Sequence, residues 1–245
     1  TMPKKAYLYA IPYEFYEQNK IRRYGFHGTS HRYVSMRSAE ILKKDIKKIN
    51  LITCHLGNGA SITAVEKGRS VDTSMGFTPL EGVIMGTRSG DIDPAVVFYL
   101  MEKKNLSVGK INELLNKKSG LLGISGISND VRVLTKFAED GNERAKIALE
   151  MYVYRIEKYI GAFITAMNGV DAIVFTAGVG ENNPFVRTAI ANKLEFFGLK
   201  IDEKLNASEE KEKIISKKGS PISMLVVPTN EELMIARDTF SLIKN

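Results

Sequence analysis

Several things are scarce in this chain. Its 245 residues contain one cysteine, no run of 18 apolar residues, and no uninterrupted apolar stretch near the start. Without such a run no membrane span is expected, and TMPKKAYLYAIP has no apolar core of the kind a secretory leader needs. A lone thiol, Cys54, forms no internal disulfide, which fits a reducing, cytoplasmic compartment. It lies in the apolar run Leu51-Ile52-Thr53-Cys54, so a buried, inert thiol is expected. Lysines come in short bursts such as Lys43, Lys44, Lys47 and Lys48, but no arginine stripe with interleaved aromatics appears. The net charge of +7 therefore reads as a solvated lysine-rich surface that draws small anions rather than nucleic acid. No G-x-x-x-x-G-K-[ST] segment, no G-x-G-x-x-G segment and no internal repeat is present.

What is abundant is glycine in one place. Residues 55–94, HLGNGASITAVEKGRSVDTSMGFTPLEGVIMGTRSGDIDP, hold seven glycines among small hydroxyl residues. Glycine has no Cβ and tolerates positive φ, so such a stretch lets backbone N–H groups approach an anion, phosphate above all. Apolar runs at 49–56 and 171–176 each lead into glycines, Gly57-Asn58-Gly59 and Gly178-Val179-Gly180. Ligands of open α/β sheets gather at strand ends, so two such turns suit opposite parts of one nucleotide. Each turn alone is equally compatible with a purely structural role.

The coarse pattern is α/β. Residues 5–18, aromatic-rich and broken by Pro12, suggest a short strand or an irregular lead-in. Thr29 or Ser30 caps an expected helix to about residue 44. Strands are expected at 49–56, 61–66 and 69–73, with Lys67-Gly68 as the hairpin turn between the last two. Helices follow at 92–103, 108–116 and 130–138, with 119–128 as a loop. The longest helix, about 143–168, has Leu149, Val153, Ile156, Ile160, Phe163 and Met167 in steps of three and four. After the strand at 171–176 come a helix from Pro184 to about 197, a mobile polar excursion at 205–219, a strand at 224–227, and a final helix at 230–243 capped by Thr229.

Two of the three histidines lie in RRYGFHGTSH, four residues apart. A zinc site needs a third ligand, and nothing nearby in sequence supplies one. On a loop before the helix, His27 can donate to charge developing on a phosphoryl group, whereas His31 and His55 also suit histidines that satisfy backbone carbonyls. Arg88, between Gly86 and Gly90, suits a phosphate clamp or a surface salt bridge. Glu231 suits Mg²⁺, directly or through water, or simply an acidic residue at a helix start.

RRYGFHGTSH, the 55–94 segment, FTAGVGENNPFVR and VVPTNEELMIARDT, in this order, resemble the acetokinase family over essentially the whole chain. The resemblance implies an RNase H-like α/β domain of the sugar kinase/Hsp70/actin superfamily. It also implies reversible phosphorylation of acetate by MgATP to acetyl phosphate and ADP, by direct in-line transfer. By motif, His27 and Arg88 correspond to the groups that stabilise the transferring phosphoryl group. His55, Leu56, Gly57, Asn58 and Gly59 correspond to the phosphate-contacting loop. Asp130, Val131 and Arg132 correspond to the adenosine contacts, and Gly178, Val179, Gly180, Glu181 and Asn182 to a second nucleotide loop. Phe26 and Pro79 correspond to walls of the acetate pocket, and Glu231 to the glutamate linked to Mg²⁺ (or Mn²⁺). The family forms homodimers through this region. A whole N-terminal domain, with an asparagine, an arginine and a catalytic aspartate, is expected upstream of Thr1. Residues 1–245 then form the C-terminal nucleotide-binding and dimerisation domain, with an interdomain lead-in at about 1–25, and are expected to be inactive alone. Propionate or butyrate kinase, a superfamily sugar kinase, and a non-catalytic nucleotide-binding or dimerisation module are the alternatives.

Overall fold

The computed structural model describes residues 1–243. A six-stranded sheet runs in the order β3-β2-β1-β4-β6-β5. Its strands are β1 Asn50–Leu56, β2 Ala60–Glu66, β3 Arg69–Thr73, β4 Ala172–Thr176, β5 Lys213–Ile214 and β6 Ser223–Val226. β1, β2 and β3 form an antiparallel meander, while β4 joins β1, and β6 joins β4, in parallel. This is the expected α/β fold, with the RNase H-like order of three antiparallel strands extended by parallel ones.

The register follows from strand parity. Ile52, Cys54 and Leu56 of β1, Ile173 and Phe175 of β4, and Met224 and Val226 of β6 point to one face. Leu51, Ala172, Val174 and Leu225 point to the other. Apolar residues on both parities bury these strands on both sides, as parallel strands require. The first face is covered by the long helix Glu143–Ala166, whose Leu149, Tyr152, Val153, Ile156, Ile160 and Phe163 are buried. The second is covered by the helix Gly28–Ile41 through Val34 and Ala39. The final helix, Glu231–Ile243, lies against that helix. Cys54 is buried and its thiol is pushed up by burial, so it is an inert core residue.

Several local expectations change. The lead-in holds no strand but two short helices, Lys4–Tyr7 and Tyr13–Asn19. Residues 119–128 are not all loop: Ser119 precedes a helix over Gly120–Ser125, ended by Gly126 in the left-handed region. The excursion at 205–219 is tied down. It contributes β5 at the sheet edge, and Lys213 and Ile215 are buried. The final helix is capped by Asn230, whose Oδ1 accepts from the Leu233 N–H at 2.9 Å, and not by Thr229. Lys67-Gly68, both at positive φ, makes the expected hairpin turn.

Because Ile156 is fully buried between helix and sheet, Ile156→Ala should lower unfolding free energy by about 2–5 kcal/mol, measured by urea denaturation. Phe196→Ala, at a side chain 91% exposed, should shift it by no more than about 0.5 kcal/mol.

Candidate functional site

Parallel pairing brings three strand ends to one edge. β1 exits into Gly57-Asn58-Gly59, β4 into the helix Ala177–Asn182, and β6 into the start of the helix at Glu231. The second glycine turn expected from the sequence is thus a short helix, entered through Ala177 at φ 65°.

A cavity of about 420 Å³ opens there, a size suited to a small-molecule ligand. Gly57 and Asn58 line it from β1, and Gly178, Val179 and Asn182 from the helix after β4. Asp130, Val131 and Arg132 close it from the start of the helix Val131–Glu139. Asp130 caps that helix by accepting from the Arg132 N–H at 2.8 Å and pairs with the Arg132 guanidinium at 2.6 Å. That partner lowers the Asp130 carboxyl from its ordinary range.

The remaining nucleotide-loop residues lie differently. Leu56 is fully buried in the core. Gly180 packs against the Cys54 carbonyl and Phe175. The Glu181 carboxylate turns back to accept from the Ala177 N–H at 2.7 Å. This short helix is further held by Arg187, a fully buried cation with no carboxylate among its described partners. Its Nη1 donates to the carbonyls of Gly180 at 2.8 Å and Glu181 at 2.9 Å, and its Nε to Asn206 Oδ1 at 2.7 Å.

His27 sits outside the helix it precedes, at φ 58°, and its carbonyl accepts the first helical bond, from His31. Neither Thr29 nor Ser30 is the cap, because the helix already begins at Gly28. From this left-handed position the His27 ring reaches over the glycine loop. A Cβ placed on Gly59 would lie 3.7 Å from His27 Nε2 and 3.3 Å from Arg88 Nη1. The two side chains therefore flank one small space that glycine keeps open. Arg88 makes no ion pair among the described residues, which removes the salt-bridge reading. Its Nη1 donates to the Pro79 carbonyl at 3.3 Å. Phe26, next to His27, is half-buried against the large core, and Pro79 is half-buried.

The histidines form one cluster. His55 stacks on His27 with ring centroids 4.0 Å apart and planes 13° apart. His55 Nδ1 meets Ser30 Oγ at 2.8 Å, and His31 Nδ1 meets Thr53 Oγ1 at 2.7 Å. His31 and His55 thus bond to hydroxyls, not to the backbone carbonyls that the sequence suggested. Although the fold brings a third histidine to the pair, no three His, Cys, Asp or Glu among the described residues could hold a metal ion. Burial disfavours the charged form of all three rings: it lowers His31 well below the usual range and His55 to about 4. His27 is lowered by burial and by Arg88, against the opposing charge of Glu231. Glu231 thus faces this cluster electrostatically, while its neighbour Glu232 is exposed.

Sequence reasoning missed Gly86, Leu121, Asn129 and Tyr152, which also line the cavity. Asn129 Nδ2 donates to Asn58 Oδ1 at 3.0 Å. Tyr152 is spaced as one more core residue of its helix, and nothing in the pattern separates it from the others.

The Acetokinase family matches residues 1–237. Acetate kinase of Pseudothermotoga lettingae is 60% identical over 245 residues, covering 100% of this chain and 60% of that protein. Acetate kinase of Thermotoga maritima is 60% identical over 247 residues, covering 100% and 61%. The crystal structure of Porphyromonas gingivalis acetate kinase superposes with a TM-score of 0.96 at 52% identity, over 99% of this chain and 61% of that one. A propionate kinase from Francisella tularensis superposes at 0.90 with 48% identity, over 96% and 60%. The chain therefore spans about three fifths of the length of these relatives. Motifs, fold and strand-end geometry agree on one conclusion: the chain belongs to the acetokinase family.

Proposed function

We propose that this chain is the nucleotide-binding and dimerisation part of a cytoplasmic acetate kinase, which transfers the terminal phosphoryl group of ATP to acetate and runs in reverse from acetyl phosphate and ADP. The observation that carries the reading is the pair His27 and Arg88, 3.7 and 3.3 Å from where a Cβ on Gly59 would lie, next along the chain to Gly57 and Asn58, which line the cavity of about 420 Å³. In transfer the bond from phosphorus to the ADP oxygen breaks as a bond to an acetate oxygen forms. Charge spreads over the equatorial oxygens, so catalysis is mainly positioning and charge stabilisation. Arg88 offers a planar, permanently charged fork and His27 a ring held rigidly by stacking. Asn58, Gly57 and Gly178 cradle the phosphates, and Asp130, Val131 and Arg132 border the nucleoside end.

Among the described residues, Glu231 is the carboxylate whose charge acts on the His27 ring. A single carboxylate beside phosphate oxygens suits Mg²⁺ or Mn²⁺, which keep water ligands and need no protein cage. Glu231 would hold such an ion, directly or through water, and the ion would supply charge neutralisation at the phosphates. Phe26 and Pro79 form the apolar wall for the acetate methyl, with Pro79 tied to Arg88 through its carbonyl. A second reading, a kinase for propionate, is favoured by the likeness to the Francisella tularensis protein. The homodimer is supported by the helix Pro94–Lys104, which buries no residue of its own and exposes Phe98 at 62% and Tyr99 at 57%.

Calorimetry should detect ADP binding to this 245-residue chain; no heat at millimolar ADP would reject the nucleotide site. In a full-length enzyme carrying this sequence, Arg88→Ala should lower kcat about 10²–10³-fold with little change in the KM for ATP, and equal turnover would remove its role. Acids of increasing length should be discriminated by about 1–3 kcal/mol per methylene, with acetate preferred; a propionate optimum would select the second reading. Light scattering should give twice 27.3 kDa, and a monomer mass would remove the dimer.

Acid stability follows from the buried rings. Folded His55 binds its proton only near 4, whereas an unfolded histidine does so near 6.5. The unfolded state therefore takes protons first as pH falls. The stability held in the neutral cluster is complete above about pH 6.5 and is lost toward pH 4. Thermal melts between pH 8 and 4 should show Tm falling in that window, and His55→Gln should flatten the fall.

A further inference from the structure

Ser61 of β2 is fully buried and stands between two imidazoles. Its Oγ lies 2.9 Å from His27 Nδ1 and 2.6 Å from His31 Nε2. His31 continues the line on its other side, with Nδ1 2.7 Å from Thr53 Oγ1. Thr53 is fully buried and His31 nearly so. Each group in this line has a fixed hydrogen inventory: a hydroxyl has one hydrogen, and a neutral imidazole carries one N–H and one bare nitrogen. No other partner of Ser61 Oγ is found among the described residues, so accepting from both rings would leave a buried hydroxyl hydrogen unpaired; the hydroxyl therefore donates to one ring and accepts from the other. The tautomers of His27 and His31 are therefore coupled through a single hydrogen.

The direction is set at the far end. Thr53 Oγ1 has His31 Nδ1 at 2.7 Å and, as its other acceptor, the Thr63 carbonyl at 3.5 Å. The second distance is beyond the usual O–H···O range, so the Thr53 hydrogen goes to His31 Nδ1. His31 then carries its hydrogen on Nε2 and donates it to Ser61, and Ser61 donates to His27 Nδ1. The His27 hydrogen is left on Nε2, the nitrogen that faces Arg88 across Gly59. Stacking on His55, itself held by Ser30, fixes the plane of the ring, and a half-turn within that plane would set Cδ2 against Ser61 and lose the 2.9 Å contact.

We propose that Ser61 is a positioning residue that holds neutral His27 in its Nε2–H tautomer, so that an uncharged ring presents a hydrogen-bond donor to an anionic phosphoryl group. The tautomer assignment stands on the hydrogen-bond geometry, given uncharged rings. Its effect on turnover rests on the reading of His27 given under Proposed function. Such an arrangement supplies a donor without waiting for the ring to take up a proton. It also makes the hydroxyls of Thr53 and Ser61, which touch no substrate, part of the reaction's alignment.

The test is long-range ¹H–¹⁵N correlation on this chain labelled at histidine, at a pH where the rings are neutral. Wild type should show His27 with its hydrogen on Nε2, and His31 likewise. A His27 hydrogen on Nδ1, or a mixture in wild type, overturns the proposal without any variant. Ser61→Ala should turn the single His27 tautomer into a mixture, Thr53→Val should loosen it from the other end, and Ser61→Thr should restore it; an unchanged His27 pattern in folded Ser61→Ala also overturns it. In a full-length enzyme, Ser61→Ala should lower kcat roughly tenfold or more, as loss of a ring-orienting partner does, with KM for ATP and ADP affinity unchanged. The expected tautomer with unaltered kcat would support the assignment of Ser61 while removing His27 from the chemistry.

Discussion

The site depends on the parallel pairing of β1, β4 and β6. Parallel strands share a direction, so their carboxyl ends fall at one edge of the sheet whatever the connections between them do. Three segments distant in sequence, at 57–59, 177–182 and 229–231, thereby share one corner. The pairing is held because residues of both parities are apolar and the sheet is covered on both faces. A one-residue slip would carry Ile52, Cys54 and Leu56 to the wrong side and move Gly57 away from its cavity. The chemistry of the corner is thus a consequence of the core's register.

Within that corner the molecule solves an electrostatic problem. A nucleotide held there, as proposed, would bring several phosphate charges that call for cations, yet stacked cationic rings would repel one another and carry a desolvation cost. The chain uses one permanently charged group, Arg88, and keeps the three imidazoles neutral by burying them among hydroxyls. In that reading, positive potential at the transferring group comes from Arg88 and from backbone N–H groups at glycines, while Arg132, which also borders the cavity, is paired with Asp130. Gly59 is decisive here because any Cβ would occupy the space between Arg88 and His27. Gly86 is similarly constrained: a Cβ there would come within 2.5 Å of Asn58 Oδ1.

Much of this was legible in the sequence, for identifiable reasons. The long helix was visible because its apolar positions step by three and four, and the strand ends because apolar runs stop abruptly at glycine. Asp93, Asp130 and Asn142 are of the residue types that mark helix starts, and each accepts a capping bond in the structure. Legibility failed where tertiary contacts override composition. Gly120–Ser125 reads as loop because Gly and Ser are poor helix formers, yet it packs against the long helix, with Leu121 buried. The polar excursion near residue 213 looks solvated, but Lys213 donates to the carbonyls of Asn206 and Ser208 and pairs β5 with the sheet edge.

The histidines show why site residues are harder to read than folds. His27 lies before the helix, as its place ahead of Gly28 suggested, but the left-handed conformation that turns its ring toward the glycine loop has no sign in the spacing. The decisive neighbours, Ser61 and Thr53, occupy alternating strand positions where any small residue would satisfy the fold. Their importance comes from which way one hydroxyl hydrogen points, and no periodicity encodes that. Burial removes the charge from the rings, and once charge is gone, tautomer becomes the property that separates a donor from an acceptor. A buried cluster of neutral imidazoles therefore needs its hydroxyls as much as its rings. Removing one hydroxyl would leave every heavy atom of His27 near its place and still change what the ring offers to an anion.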